Sequence, residues 1–136
     1  MKDILIFCPS IEYGGVEKNL FITSNYLAKK YLNKKIYLIS ANNDQKKKFS
    51  SKIKLFIPST KRFNNSKRLL KNLISILIFI KNFRKKDIVI LSFQSNIIAI
   101  LLAKIFDKKV IIRSNTSPEK FANNFFKKFF FKNFFK

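Results

Sequence analysis

"ILIFCPSIEYGGVEKNLFITSNYLAKK" (residues 4–30) decides the fold. It opens with Ile4–Cys8, an unbroken apolar run. A strand reads this way when both faces of its sheet are covered, as in parallel α/β sheets. Pro9 and Ser10 end the run, and the only two glycines of the chain, Gly14 and Gly15, follow. Val16, Leu20, Ser24, Leu27, Ala28 and Tyr31 then recur at spacings of three and four. That spacing predicts an amphipathic helix over 16–31. Lys29 and Lys30 suit its negative C-terminal end.

Outward from this unit, "KIYLISA" (35–41) and "IKLFIP" (53–58) predict two more strands on either side of a polar loop. "SKRLLKNLISILIFIKNFRKK" (66–86) carries Leu69, Leu70, Leu73, Ile76, Leu77, Ile80 and Phe83 at helical spacing. "DIVILSF" (87–93) is a fourth strand, Asn96–Phe106 a short apolar helix, and "KKVIIRS" (108–114) a fifth strand. The order β-α-β-β-α-β-α-β predicts an α/β, Rossmann-like, open and mostly parallel sheet with helices on both faces. Residues 1–118 form this domain, and 119–136 a basic Phe/Lys-rich helical tail.

Composition narrows the chemistry. The chain has 136 residues, no His and one cysteine, Cys8. His-based triads and acid/base catalysis are excluded, a zinc site is not expected, and no internal disulfide can form. No cofactor is expected. Lys, Asn, Ile, Phe and Tyr make up 80 of the 136 residues, the bias that A- and T-rich codons produce. Much of the net charge of +22 has that explanation. Yet residues 1–44 carry 6 basic against 4 acidic residues, and 45–136 carry 23 against 3. Codon bias does not predict that division, so a basic surface remains an alternative. Nucleic acid is a poor candidate partner, because no recognition motif accompanies the charge. The apolar runs 73–80 and 97–106 fall short of the roughly 20 residues that span a bilayer. The N-terminus is too short for a secretory signal. A cytoplasmic location, or a peripheral one at the inner face of the cytoplasmic membrane, is the expectation.

In open parallel sheets, ligands sit beyond the carboxyl ends of the strands. The glycine pair lies there, at the entrance to a helix whose free N–H groups suit phosphate. The reading stays divided between a tight strand-to-helix turn and a loop that lets a ligand reach the backbone. The dinucleotide fingerprint G-x-G-x-x-G and the P-loop pattern G-x-x-x-x-G-K-[ST] are both missing.

"CPSIEYGGVEKNLFITSNYLAKK" (8–30) resembles the opening of the family-4 glycosyltransferases of GT-B architecture. "VILSFQSNIIAILLAKIFDKKVIIRSNTSP" (89–118) resembles the fourth strand, helix, fifth strand and cleft loop of their N-terminal domain. The resemblance implies metal-free transfer of a sugar, usually with retention, from a nucleotide-sugar donor to an acceptor hydroxyl. The acceptor would be a glycan or a polyprenyl-diphosphate-linked sugar in cell-surface polysaccharide synthesis. By resemblance, Gly14 and Gly15 face the donor, with Glu17 beside them. Glu17 also reads as an acid that simply favours the helix dipole. Ser92, Gln94, Ser95 and Asn96 would bind acceptor hydroxyls, or Ser95 and Asn96 would cap the next helix. Arg113, Ser114, Asn115 and Thr116 would form the last cleft loop. Arg113, one of four arginines, suits a planar anion contact or a surface ion pair. Asn115 stands where many relatives carry His. The donor-binding C-terminal domain has no counterpart in these residues. The chain is therefore expected to be an incomplete domain, inactive alone.

The tail places Phe125 and Phe129 on one helical side and Lys128 and Lys132 on another. Such a helix suits an anionic membrane interface or a missing part of the core. The alternative function is thus a non-catalytic, truncated protein held to anionic membrane by Lys and Phe.

Overall fold

A computed structural model describes residues 2–113. Five strands form one sheet: β1 (Asp3–Phe7), β2 (Ile36–Ile39), β3 (Ile53–Phe56), β4 (Ile88–Ser92) and β5 (Lys109–Ile112). Their order is β3-β2-β1-β4-β5, and every pair is parallel. Three helices connect them: α1 (Gly15–Lys30), α2 (Arg68–Phe83) and α3 (Asn96–Ile105). The Rossmann-like α/β fold read from the sequence is the observed one. Two short 3-10 turns, Lys46–Lys48 and Lys61–Phe63, lie in the connections on either side of β3.

Side chains alternate across a strand, so β1 feeds two cores. Ile6 and Cys8 pack with Leu20 and Ala28 of α1 and with Ile36, Leu38 and Ile53. Leu5 and Phe7 pack on the opposite face with Phe79 and Phe83 of α2 and Ala99 and Leu102 of α3. Both faces of the central strands are therefore covered, which is why β1 and β2 are almost wholly apolar.

Helix α2 forms where the helical spacing predicts, but that spacing does not name its buried face. Its leucines Leu69, Leu73 and Leu77 form an exposed ridge, 77%, 57% and 67% accessible. The buried stripe is instead Lys71, Ser75, Phe79 and Phe83. The helix is apolar over most of its circumference, so periodicity does not single out one face. The stripe changes character along its length. Phe79 and Phe83 enter the core, while Lys71 meets Ser10, just beyond the carboxyl end of β1.

With glycine scarce, α3 ends on Asp107 in the left-handed region at φ 50°. The Lys108 N–H donates to the Ala103 carbonyl at 2.7 Å, closing a Schellman-type cap that usually takes glycine. Asp107→Gly is expected to raise stability by about 1 kcal/mol. A urea titration checks it, and an unchanged midpoint would contradict the assignment.

Candidate functional site

The strand order reverses direction between β1 and β4, and the loops after these two strands flank the resulting crevice. After β1 come Pro9 and Ser10, both buried, and then the glycine pair. Gly14 is the residue before α1, with φ −172° and ψ −176°, an extended conformation open to any residue. Neither glycine has a positive φ. The backbone freedom suggested by the sequence is thus not what these positions use. At Gly14 a Cβ would lie 2.9 Å from Glu17 Oε2, so the end of that buried side chain would have to shift. A Cβ on Gly15 would meet nothing within 4 Å. The protein itself has no packing need for that glycine.

Glu17 is buried, 6% exposed. Its Oε1 accepts a hydrogen bond from Gln94 Nε2 at 2.9 Å, joining α1 to the loop after β4. Gln94, 77 positions from Glu17, is therefore brought to the Gly14–Glu17 turn. A cavity of about 200 Å³ opens beside them on the α1 flank, walled by Tyr13, Gly14, Glu17, Phe21 and Lys48. Lys48 lies 5.5 Å over the Tyr13 ring and 5.0 Å over that of Phe21.

The remaining expected residues divide in two. The buried Ser92 hydroxyl lies 3.0 Å from the Gln94 carbonyl and 2.8 Å from Asn96 Oδ1, and its single proton serves one of them at a time. Asn96 Nδ2 donates to the Arg113 carbonyl at 3.0 Å. Ser92 and Asn96 thus tie the loops after β4 and β5 together. Ser95 precedes α3 in the left-handed region, φ 56°, a costly conformation for a residue with a side chain. Its hydroxyl does not cap α3 but donates to Asn72 Oδ1 at 2.7 Å. Asn96 gives α3 no side-chain cap either. Arg113 makes no ion pair among the described residues, and its guanidinium lies 5.6 Å over the Phe93 ring. Ser114, Asn115, Thr116, Phe125, Lys128, Phe129 and Lys132 lie outside the described residues.

Sequence reasoning missed the most unusual group. Lys71 is only 5% exposed, and its Nζ lies 3.2 Å from Ser10 Oγ, its recorded polar contact. No carboxylate lies within 4 Å of it among the described residues. Its nearest relay to negative charge is the Ser10 hydroxyl, which donates to Glu12 Oε1 at 2.8 Å. A buried ammonium without a direct counter-ion is costly, and an incoming anion offsets that cost. Nothing in "RLLKNLISI" marks Lys71 as inward, because lysine on a helix normally faces water. Only its i, i+4 and i+8 relation to Ser75 and Phe79 carries a hint.

The crevice does not hold a cysteine nucleophile. Burial, then the Glu17 carboxylate, pushes the Cys8 thiol far above its ordinary range, so it stays protonated. Among the described residues, no group of His, Cys, Asp and Glu could hold a metal ion. No helix among them is long and apolar enough to cross a membrane. Around the loop after β1 lie a buried cation, a helix N-terminus with no side-chain cap and a glycine open to its surroundings, features that suit a phosphate-bearing ligand. None of the family models, curated proteins or solved structures compared with the chain matches it.

Proposed function

We propose that this domain is the acceptor-side part of a glycosyltransferase, transferring sugar from a nucleotide-sugar donor to a glycan or lipid-linked hydroxyl. The observation that carries the reading is the buried, carboxylate-free Lys71 ammonium at the β1/β4 crevice, set among the loop residues that resemble the family-4 enzymes. In this reading Gly15 lets the donor diphosphate approach the first turn of α1. Lys71 and the N-terminal amides of α1 stabilise the negative charge that grows on the departing nucleotide diphosphate. Glu17 and Gln94 fix the loop geometry, and Ser92 and Asn96 hold the acceptor side in shape. Arg113, stacked on Phe93, is the candidate contact for an acceptor phosphate. A peripheral position at an anionic membrane would suit a lipid-linked acceptor.

Ligand-observed NMR with nucleoside diphosphate sugars, nucleoside diphosphates and bare nucleosides tests this reading. The diphosphates are expected to bind and the nucleosides not. Equal binding of bare nucleosides, or no binding by any diphosphate at millimolar concentration, would refute it. Gly15→Ala separates protein need from ligand need. Its methyl enters open space, so stability is expected to rise by about 0.5 kcal/mol. Diphosphate binding is expected to weaken in the same variant. A binding constant unchanged by the methyl would place the ligand away from Gly15.

A further inference from the structure

We propose that a phosphate-rich anion binds in a second site, a lysine-lined basin at the amino ends of β2 and β3. This site lies at the opposite end of the strands from the crevice and does not rest on the transferase reading. Its cavity is about 600 Å³. Lys34, Lys35, Lys52, Lys54 and Lys86 line it, and among the described residues no carboxylate does.

The sheet sets the positions of these cations. Lys52 and Lys54 stand two apart at the start of β3, so they lean to one side. The β2–β3 register places Lys54 next to Tyr37. Lys86, just beyond α2, has its ammonium 4.7 Å over the Tyr37 ring and 4.8 Å over that of Phe83. Lys54 lies 5.6 Å over the Phe56 ring. Aromatic faces thus hold two ammonium groups in place, and each keeps further N–H donors for a ligand. Asp3, which contacts two residues of the basin, is already engaged. It accepts the Lys35 backbone N–H at 3.1 Å and the Tyr37 hydroxyl. Mutual repulsion among lysines around one concavity opposes folding, and a multivalent anion relieves it. The shared chemistry is a cluster of phosphate oxygens. Its source is either a soluble polyphosphate-like anion or the headgroups of an anionic lipid surface.

Calorimetric titration of the full chain with inorganic tripolyphosphate tests the site. Saturable binding is expected, weakened about tenfold or more in a Lys35→Gln/Lys52→Gln double variant. Lys46→Gln/Lys47→Gln, an equal charge change outside the basin, is the control and is expected to change the affinity less than about twofold. Both altered pairs are exposed, so the fold is not at stake. Sedimentation with phosphatidylcholine vesicles, with and without phosphatidylglycerol, separates the sources. Loss of vesicle binding in the basin variant assigns the site to headgroups, and unchanged vesicle behaviour assigns it to a soluble anion. Absence of saturable tripolyphosphate binding, or equal weakening by both pairs, would overturn the proposal.

Discussion

Lys71→Met is expected to fold, to gain about 1 kcal/mol of stability, and to lose diphosphate binding about tenfold or more. The opposite signs of these two effects make the variant informative. Methionine matches the length of the lysine stem and needs no hydrogen bond, so it removes a buried charge without leaving a large void. The Ser10 hydroxyl keeps its bond to Glu12, 2.8 Å away, so no new orphan is created. A structural lysine would behave differently. If Lys71 chiefly holds the loop after β1 through Ser10, its loss would destabilise the domain and loosen that loop. A charge-assisted contact to a phosphate is worth roughly 1.5–3 kcal/mol, which sets the expected loss of affinity. Denaturant titration and ligand binding on the same preparation decide the matter.

Phe83→Ala is expected to cost about 4 kcal/mol, the largest stability effect of any single truncation considered. Phe83 is fully buried at the end of α2. Its ring packs edgewise on Tyr37 at 5.2 Å and Phe56 at 4.7 Å, and lies 6.3 Å from Phe79. Removing it opens a cavity among three other aromatic rings and takes one ring from beneath Lys86. Against a typical total of about 5–15 kcal/mol, such a loss brings the domain near its unfolding threshold. The melting temperature is expected to fall by about 15–20 °C. A drop of only a few degrees would mean that α2 does not anchor this face of the sheet. Because Lys86 rests on the Phe83 ring and Tyr37 packs against it, the variant is expected to weaken the lysine basin as well.

The sheet was legible because its strands are short apolar runs separated by polar or helical stretches. Ile4–Cys8 and "DIVILSF" could be little else, and every strand and helix lies within a few residues of its expected bounds. The face of α2 was not legible. A helix with leucine, isoleucine and phenylalanine on nearly every side gives no unique direction, and its orientation is a tertiary result. The same ambiguity hid Lys71. The glycine pair follows β1 as its sequence position indicates, but neither glycine has a positive φ. A Cβ at Gly14 would instead press on the end of the Glu17 side chain, a contact 2.9 Å away that the local sequence does not indicate. The bond between Glu17 and Gln94 spans 77 positions, and no local pattern announces it. Ser95 illustrates a further limit. Its sequence position suggests a helix cap, but the left-handed backbone turns its hydroxyl to Asn72.

The central claim is that the β1/β4 crevice receives a diphosphate against Lys71. An amide NMR map of the chain titrated with a nucleoside diphosphate tests it most directly. Perturbations of residues 10–18, 68–72 and 93–96 that are lost in Lys71→Met are the predicted result. Perturbations that leave these segments untouched, or that persist unchanged in Lys71→Met, would contradict it.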